Sequence, residues 1–125
     1  MTGFSLDQLV RRAYLWACER LYHEFAWSYD GVSRLVSFGA WPQWRRLALA
    51  ELPGPCVLEL GFGTGELLAE AAAIYPVAVG LELSPAMHDV AARRFARLGR
   101  AAPRIQARAQ AIPLASGSVD GVLST

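Results

Sequence analysis

The sequence predicts an α/β fold: a parallel sheet with flanking helices, preceded by an N-terminal helical segment. Three observations carry this. Short apolar runs alternate with helix-length segments from residue 55 onward, a glycine-rich turn joins the first run to the first of those helices, and an acid closes the second run. Strand–helix–strand alternation marks parallel βαβ units with right-handed crossovers. The texture changes at Pro53-Gly54-Pro55, so residues 1–52 read as the helical segment and 53–125 as the α/β core.

The elements follow in order. Residues 5–27 read as an amphipathic helix, with Ser5 as its N-cap, Gln8 completing a capping box, and Leu6, Leu9, Val10, Ala13 and Tyr14 at helical spacing. Tyr29-Asp30-Gly31 is expected to break that pattern. A second short helix carries Val32, Leu35, Val36 and Phe38 and stops at Gly39. A third starts at Trp41-Pro42 and runs to Leu52. Cys56–Leu60 is an apolar run bounded by breakers, hence a buried strand. Glu66–Ile74 is rich in alanine and leucine, hence helical, and Val77–Leu81 is a second strand ending at Glu82. Ser84-Pro85 opens a helix as N-cap and first-turn proline, and Gly99 closes it after Leu98. Residues 104–108 and 119–124 read as the third and fourth strands.

Composition narrows the function classes. With 54% hydrophobic and 18% charged residues and a mean hydropathy of +0.25, the chain can build a core and is too apolar for disorder. A net charge of +1 gives no global field favouring nucleic acid. All 12 basic residues are arginine, a composition habit more than a function. Arg93, Arg97 and Arg100 share a helix face without stacking aromatics, which reads as a solvated face and not an RNA surface. Cys18 and Cys56 sit in no oxidising context, and with His23 and His88 they make no zinc pattern, so no metal is expected. No signal-peptide pattern and no apolar stretch of ~18 residues is present, which places the chain in the cytoplasm by default. Trp16, Trp27, Trp41 and Trp44 are enough aromatic surface for a lipophilic substrate or a peripheral membrane contact, although packing of helices on the sheet accounts for most of them.

The chemistry concentrates in Glu59-Leu60-Gly61-Phe62-Gly63-Thr64-Gly65-Glu66. Glycines in a strand-to-helix turn permit positive φ and close approach of a ligand to the backbone. Free N–H groups of the helix N-terminus stand behind them. Glu82, at the tip of the next strand, lies about 20 residues beyond the first glycine, where an acid recognises ribose hydroxyls. The turn reads G-x-G-x-G, not the G-x-G-x-x-G of dinucleotide sites, and a phosphate-binding Gly-Lys-Ser/Thr loop is impossible without lysine. Glu59 beside the turn would repel a pyrophosphate and suits a ligand bearing ammonium and sulfonium charges. These features point to S-adenosylmethionine. A nicotinamide-dependent reductase is a weaker alternative.

Residues 57–65, Gly80–Met87 and Ala109–Val122 resemble, in order, the glycine motif, the ribose-acid strand and the following loop and strand of class I S-adenosylmethionine-dependent methyltransferases. Tyr29-Asp30, residues 35–39 and Trp44-Arg45-Arg46 are similar to the opening segment of the ubiquinone and menaquinone biosynthesis type. The resemblance implies a Rossmann-like core behind a lid-side or substrate-side segment, and methyl transfer to a small, lipophilic acceptor. It further implies that Gly61, Gly63 and Gly65 line the methionine and ribose, that Glu59 holds the ammonium group, that Glu82 takes the ribose hydroxyls, and that Leu83 packs on adenine. The family's usual aspartate is replaced by Arg108, which cannot accept a hydrogen bond, so adenine contacts fall to the Ala109 backbone and Gln110.

A sulfonium methyl is already activated, and the protein chiefly aligns a nucleophile and excludes water. Where the acceptor must lose a proton, Tyr29 and His23 are the candidate bases. The plainer reading is a core or interface aromatic for Tyr29 and ordinary surface or half-buried residues for His23 and His88. Glu82 as a surface acid and Glu59 as a helix-dipole partner are the plainer readings of the acids. The fourth strand stops short of the family's full sheet and leaves a parallel edge open. The expectation is a truncated product, or a chain completed by a partner or a second copy. A non-catalytic nucleoside-binding module is then the alternative function.

Overall fold

The computed structural model describes residues 6–125, leaving aside the side chains of Tyr22, Tyr29 and Ser33. The Ser5 cap lies outside the described residues. The elements are α1 (Leu6–Phe25), a single 3₁₀ turn (Ala26–Ser28), α2 (Tyr29–Val36), α3 (Trp41–Ala50), β1 (Cys56–Leu60), α4 (Glu66–Ile74), β2 (Val77–Glu82), α5 (Pro85–Leu98), β3 (Arg104–Gln106) and β4 (Gly121–Ser124).

The four strands form one parallel sheet in the order β3-β2-β1-β4. Successive strands step outward from β1 through β2 to β3, and β4 then returns to the other side of β1. The order reverses at β1, and in open parallel sheets the crevice beyond the strand tips at such a reversal is where ligands bind. Strand residues point alternately to the two faces. Val57 packs into a core with Phe62, Leu68, Ala91 and Phe95, while Leu58, Val79 and Leu81 form a second cluster with Ile105 and Leu114.

Local chemistry fixes the ends of the elements. Ser84 Oγ accepts the Met87 N–H at 3.3 Å, and Gly99 closes α5 in the left-handed conformation at φ +61°. Tyr75 donates its hydroxyl toward the Leu49 and Leu52 carbonyls, at 2.6 and 2.9 Å, satisfying the C-terminal end of α3. Gly80 is required by packing: a Cβ there would sit 2.4 Å from Leu68 Cδ2 and 2.6 Å from Phe62 Cδ1.

Four expectations are corrected. The chain breaks at the 3₁₀ turn around buried Ala26, and Tyr29-Asp30-Gly31 begins α2 instead of interrupting the pattern. The third helix ends at Ala50, not Leu52. β3 stops at Gln106 because its partner β2 ends at Glu82, and β4 starts at Gly121 because its register begins opposite Val57. Finally, most tryptophans are not packing residues: Trp16, Trp27 and Trp44 are 65%, 76% and 57% exposed. Leu6, Leu35 and Phe38 of the same segment are exposed as well. Cys18 and Cys56 are free thiols.

The helical segment is tied to the core by ion pairs: Arg46 of α3 forks onto Glu70 of α4, with Nε 2.9 Å from each carboxylate oxygen and Nη2 2.8 Å from Oε1. Arg34 of α2 pairs with Glu66, and Arg94 of α5 with Asp30. No helix among the described residues is long and apolar enough to cross a membrane, and these residues gather no group of three or more His, Cys, Asp or Glu.

Candidate cofactor-binding site

The glycine turn hangs from the tip of β1 and leans on β2. Gly61 and Phe62 donate their N–H groups to the Leu81 carbonyl at 2.7 and 3.3 Å. Gly61, Gly63 and Gly65 all have positive φ, at +69°, +55° and +79°. Their surroundings differ. A Cβ on Gly65 would lie 2.9 Å from Ala91 Cβ, so this glycine lets α4 press against α5. A Cβ on Gly61 or Gly63 would meet nothing within 4 Å. Those two leave an open face where a ligand can lie against the backbone.

Glu82 is held rigid at the tip of β2. Its Oε2 accepts the Gly63 N–H at 3.0 Å, and its Oε1 accepts the N–H groups of Leu83 and Ser84 at 2.8 and 3.0 Å. A carboxylate has about four lone-pair positions, so hydroxyl donors can still add to it. His88 Nε2 lies 2.9 Å from the Glu82 carbonyl, and its half-buried ring stands edge-on to Phe62 at 4.9 Å. It supports the turn from beneath.

Between these parts lies a cleft of about 130 Å³, lined in part by Asp30, Arg45, Gly61, Gly63, Thr64 and Glu82. Asp30 reaches in from α2 and accepts the Thr64 hydroxyl at 2.7 Å. Arg45 reaches in from α3 and is 8% exposed. Neither side chain was assigned a role from the sequence. Their segment stands out only as the stretch around Tyr29-Asp30 and Trp44-Arg45-Arg46, and helical spacing alone does not tell which of its side chains enters a cleft.

Glu59 shares the Val57 face of β1 and is 4% exposed, behind Arg45. Its Oε1 lies 3.6 Å from Arg45 Nη2, and neither carboxylate oxygen has a hydrogen-bond partner. Burial pushes its carboxyl up to about 8, against the pull of Arg45 and with a further push from Glu82. The two acids therefore lie close enough to interact, Glu82 on the cleft wall and Glu59 one layer deeper.

The remaining sequence-derived positions lie to one side. Leu83 is 50% exposed and lines a second cavity, of about 740 Å³, beneath α1. That cavity also takes in His23, Trp16, Gln106 and Arg108. Ala109 and Gln110 are exposed on the loop after β3. His23 thus lines the same cavity as Leu83 and not the cleft at the glycine turn. The Tyr29 side chain lies outside the described residues, although its backbone opens α2 beside Asp30.

Sheet order, glycine turn and strand-tip acid together define a Rossmann-like α/β domain. Residues 57–125 match a family of methyltransferase domains. A demethylmenaquinone methyltransferase of Thermus thermophilus is 36% identical over 108 residues, covering 82% of this chain and 49% of that protein. A ubiquinone/menaquinone biosynthesis C-methyltransferase of Geotalea uraniireducens is 33% identical over 113 residues, covering 83% and 48%. Among solved structures, an S-adenosylmethionine-dependent methyltransferase from Thiobacillus denitrificans in complex with S-adenosyl-L-homocysteine is 30% identical, with a TM-score of 0.55, covering 66% of this chain and 36% of that one. A likeness at 19% identity and TM-score 0.64 to a methyltransferase from Clostridium acetobutylicum, covering 82% and 43%, shows the shared fold. The chain belongs to the class I S-adenosylmethionine-dependent methyltransferases. It spans about half the length of the curated relatives it matches.

Proposed function

We propose that this chain supplies the cofactor-binding half of an enzyme that transfers a methyl group from S-adenosylmethionine to a small, lipophilic acceptor of the quinone type. The observation that carries the cofactor is the cleft itself. Two bare glycine backbones face a rigid carboxylate at the neighbouring strand tip, with a second carboxylate buried behind them without hydrogen bonds. These residues suit an adenosyl amino acid better than a pyrophosphate, which would face the Asp30 and Glu82 carboxylates in the cleft.

When bound, the cofactor supplies an activated methyl group. Glu82 accepts the ribose hydroxyls with its remaining lone pairs, already oriented by three backbone N–H groups. Gly61 and Gly63 let the ligand lie on the backbone, and Gly65 keeps the turn close to α5. Glu59, one layer deeper than the cleft wall, is the acid proposed for the ammonium end. Leu83, the Ala109 backbone and Gln110 border the adenine. Where the acceptor must lose a proton, His23 and Tyr29 are the groups proposed to take it. The helical segment is proposed to cover the substrate side, and its exposed apolar residues suit a lipophilic acceptor, a peripheral membrane contact, or a second copy or partner. The cytoplasm is the proposed location. The relatives named for menaquinone and ubiquinone biosynthesis support the acceptor class.

Calorimetry with S-adenosylmethionine and S-adenosylhomocysteine tests the cofactor. Both are expected to bind the chain, and Glu82→Ala is expected to weaken both at least about tenfold, the loss of charge-assisted hydrogen bonds. Absence of binding by the unaltered chain overturns the reading.

A further inference from the structure

A cavity of about 540 Å³ lies among α2, α3, α4 and the C-terminal end of α5. Asp30 is the lining residue that it shares with the cofactor cleft, and it shares none with the cavity beneath α1. Its size is that of a small-molecule site.

Arginine dominates the lining. Three of its five guanidinium groups have acids: Arg34 pairs with Glu66, Arg46 with Glu70, and Arg94 with Asp30. Arg97 and Arg100 complete the set without an acid. Arg100 gives Nη1 to the Ala69 carbonyl at 2.8 Å, a neutral acceptor. Arg97 is exposed and makes no ion pair or hydrogen bond among the described residues. The cavity therefore holds a surplus of two positive charges, on a chain whose net charge is only +1.

Donors are in surplus as well. A guanidinium carries five N–H bonds and no acceptor. Arg34 and Arg94 each meet their acid through Nη2, and Arg94 keeps a buried Nε without a partner. Arg94 and Arg97 stand three residues apart on α5, where like charges repel. An anion seated between them would relieve that repulsion.

We propose that this cavity is a site for a doubly charged phosphate group, separate from the cofactor cleft. A phosphate ester carries about −1.5 to −2 charge at neutral pH and three acceptor oxygens on one centre. It matches the surplus, and several guanidinium forks can converge on it. S-adenosylmethionine has no phosphate, so the site is not the cofactor's and the proposal stands apart from the cofactor reading. The same chemistry comes from a soluble phosphate ester or diphosphate and from the headgroup of an anionic lipid.

The test uses the full chain. Calorimetry takes pyrophosphate and succinate as soluble probes, and flotation takes phosphatidylcholine vesicles with and without phosphatidic acid. Pyrophosphate is expected to bind, and succinate, which spreads its two charges over two carboxylates, to bind more weakly. Arg97→Gln removes an exposed guanidinium that holds no other group, and it is expected to weaken pyrophosphate about five- to tenfold, the loss of one charge-assisted contact. Arg93→Gln removes the same charge from an α5 position outside the cavity and is expected to leave the affinity unchanged. Pyrophosphate binding with this split between the variants assigns a soluble phosphate to the site. Capture by phosphatidic-acid vesicles alone, with the same split, assigns the lipid headgroup. Binding of neither, equal losses in the two variants, or succinate bound as tightly as pyrophosphate overturns the proposal.

Discussion

The Thr64 hydroxyl donates to the Asp30 carboxylate, 2.7 Å from each oxygen, across 34 positions of sequence. This contact fastens α2 to the glycine turn, and the Arg94 guanidinium closes on the same carboxylate from α5. Asp30 is therefore a joint between the helical segment, the turn and the core. Asp30→Ala is expected to lower stability by about 2–4 kcal/mol, because it strands the partly buried Arg94 charge as well as the hydroxyl. Thr64→Val is expected to lower it by about 1 kcal/mol. In a double-mutant cycle read by urea unfolding, the two changes should couple by at least about 0.5 kcal/mol. Simple additivity would show that the joint carries no energy.

The glycines of the turn should separate into two kinds. Gly61→Ala meets open space and bears only left-handed strain, about 1–2 kcal/mol. Gly65→Ala adds overlap with Ala91 and should lose about 1–3 kcal/mol more. Binding of S-adenosylhomocysteine should run the other way relative to stability: Gly61→Ala loses affinity while staying folded. Thermal melts and calorimetry on the two variants check this, and equal melting temperatures would contradict the packing argument.

Stability should fall with rising pH through Glu59. Burial lifts its folded-state carboxyl to about 8, above the ordinary value of 4.5. Between those values the folded chain holds a proton that the unfolded chain has released, so the stabilisation is full below 4.5 and is lost as pH rises toward 8. The slope reaches at most about 1.4 kcal/mol per pH unit. Arg45 and Glu82 are the charged groups acting on Glu59, and Glu66 faces the far side of Arg45. Glu59→Gln should flatten the profile between pH 5 and 8, and an unchanged profile would place the titration elsewhere.

Tyr75→Phe removes one hydroxyl that serves two carbonyls at the end of α3. The expected loss is about 1–2 kcal/mol in chemical denaturation. Since α3 carries Arg45, the same variant should also weaken S-adenosylhomocysteine binding. A melt indistinguishable from the parent would refute the capping role.

The core was legible because its signals are local. Breakers bound the Cys56–Leu60 run, the G-x-G-x-G turn follows directly, and Ser84-Pro85 and Gly99 mark both ends of α5. Glu82 could be placed because a strand tip follows from sequence spacing. The helical segment was harder to read. Asp30 and Arg45 enter the cleft through the docking of α2 and α3 on α4 and α5, which no short-range pattern encodes. The tryptophans show the same limit: an apolar residue at helical spacing identifies a face, not what covers it. Glu59 is legible in the sequence as an acid beside the turn, but its depth behind Arg45 depends on a helix that precedes it in the chain.

β4 joins the sheet by pairing with β1 from the far side of both crossovers, opposite the neighbour that β1 acquires through α4. The β1–α4–β2 unit closes a short loop, whereas the β1–β4 ladder closes one of 64 residues. Loop-closure entropy grows with that span, so the near pairing is expected to form before the distant one. On that expectation the glycine turn acquires its shape early, and the part of the cleft wall contributed by Thr125 is completed when the fourth strand docks.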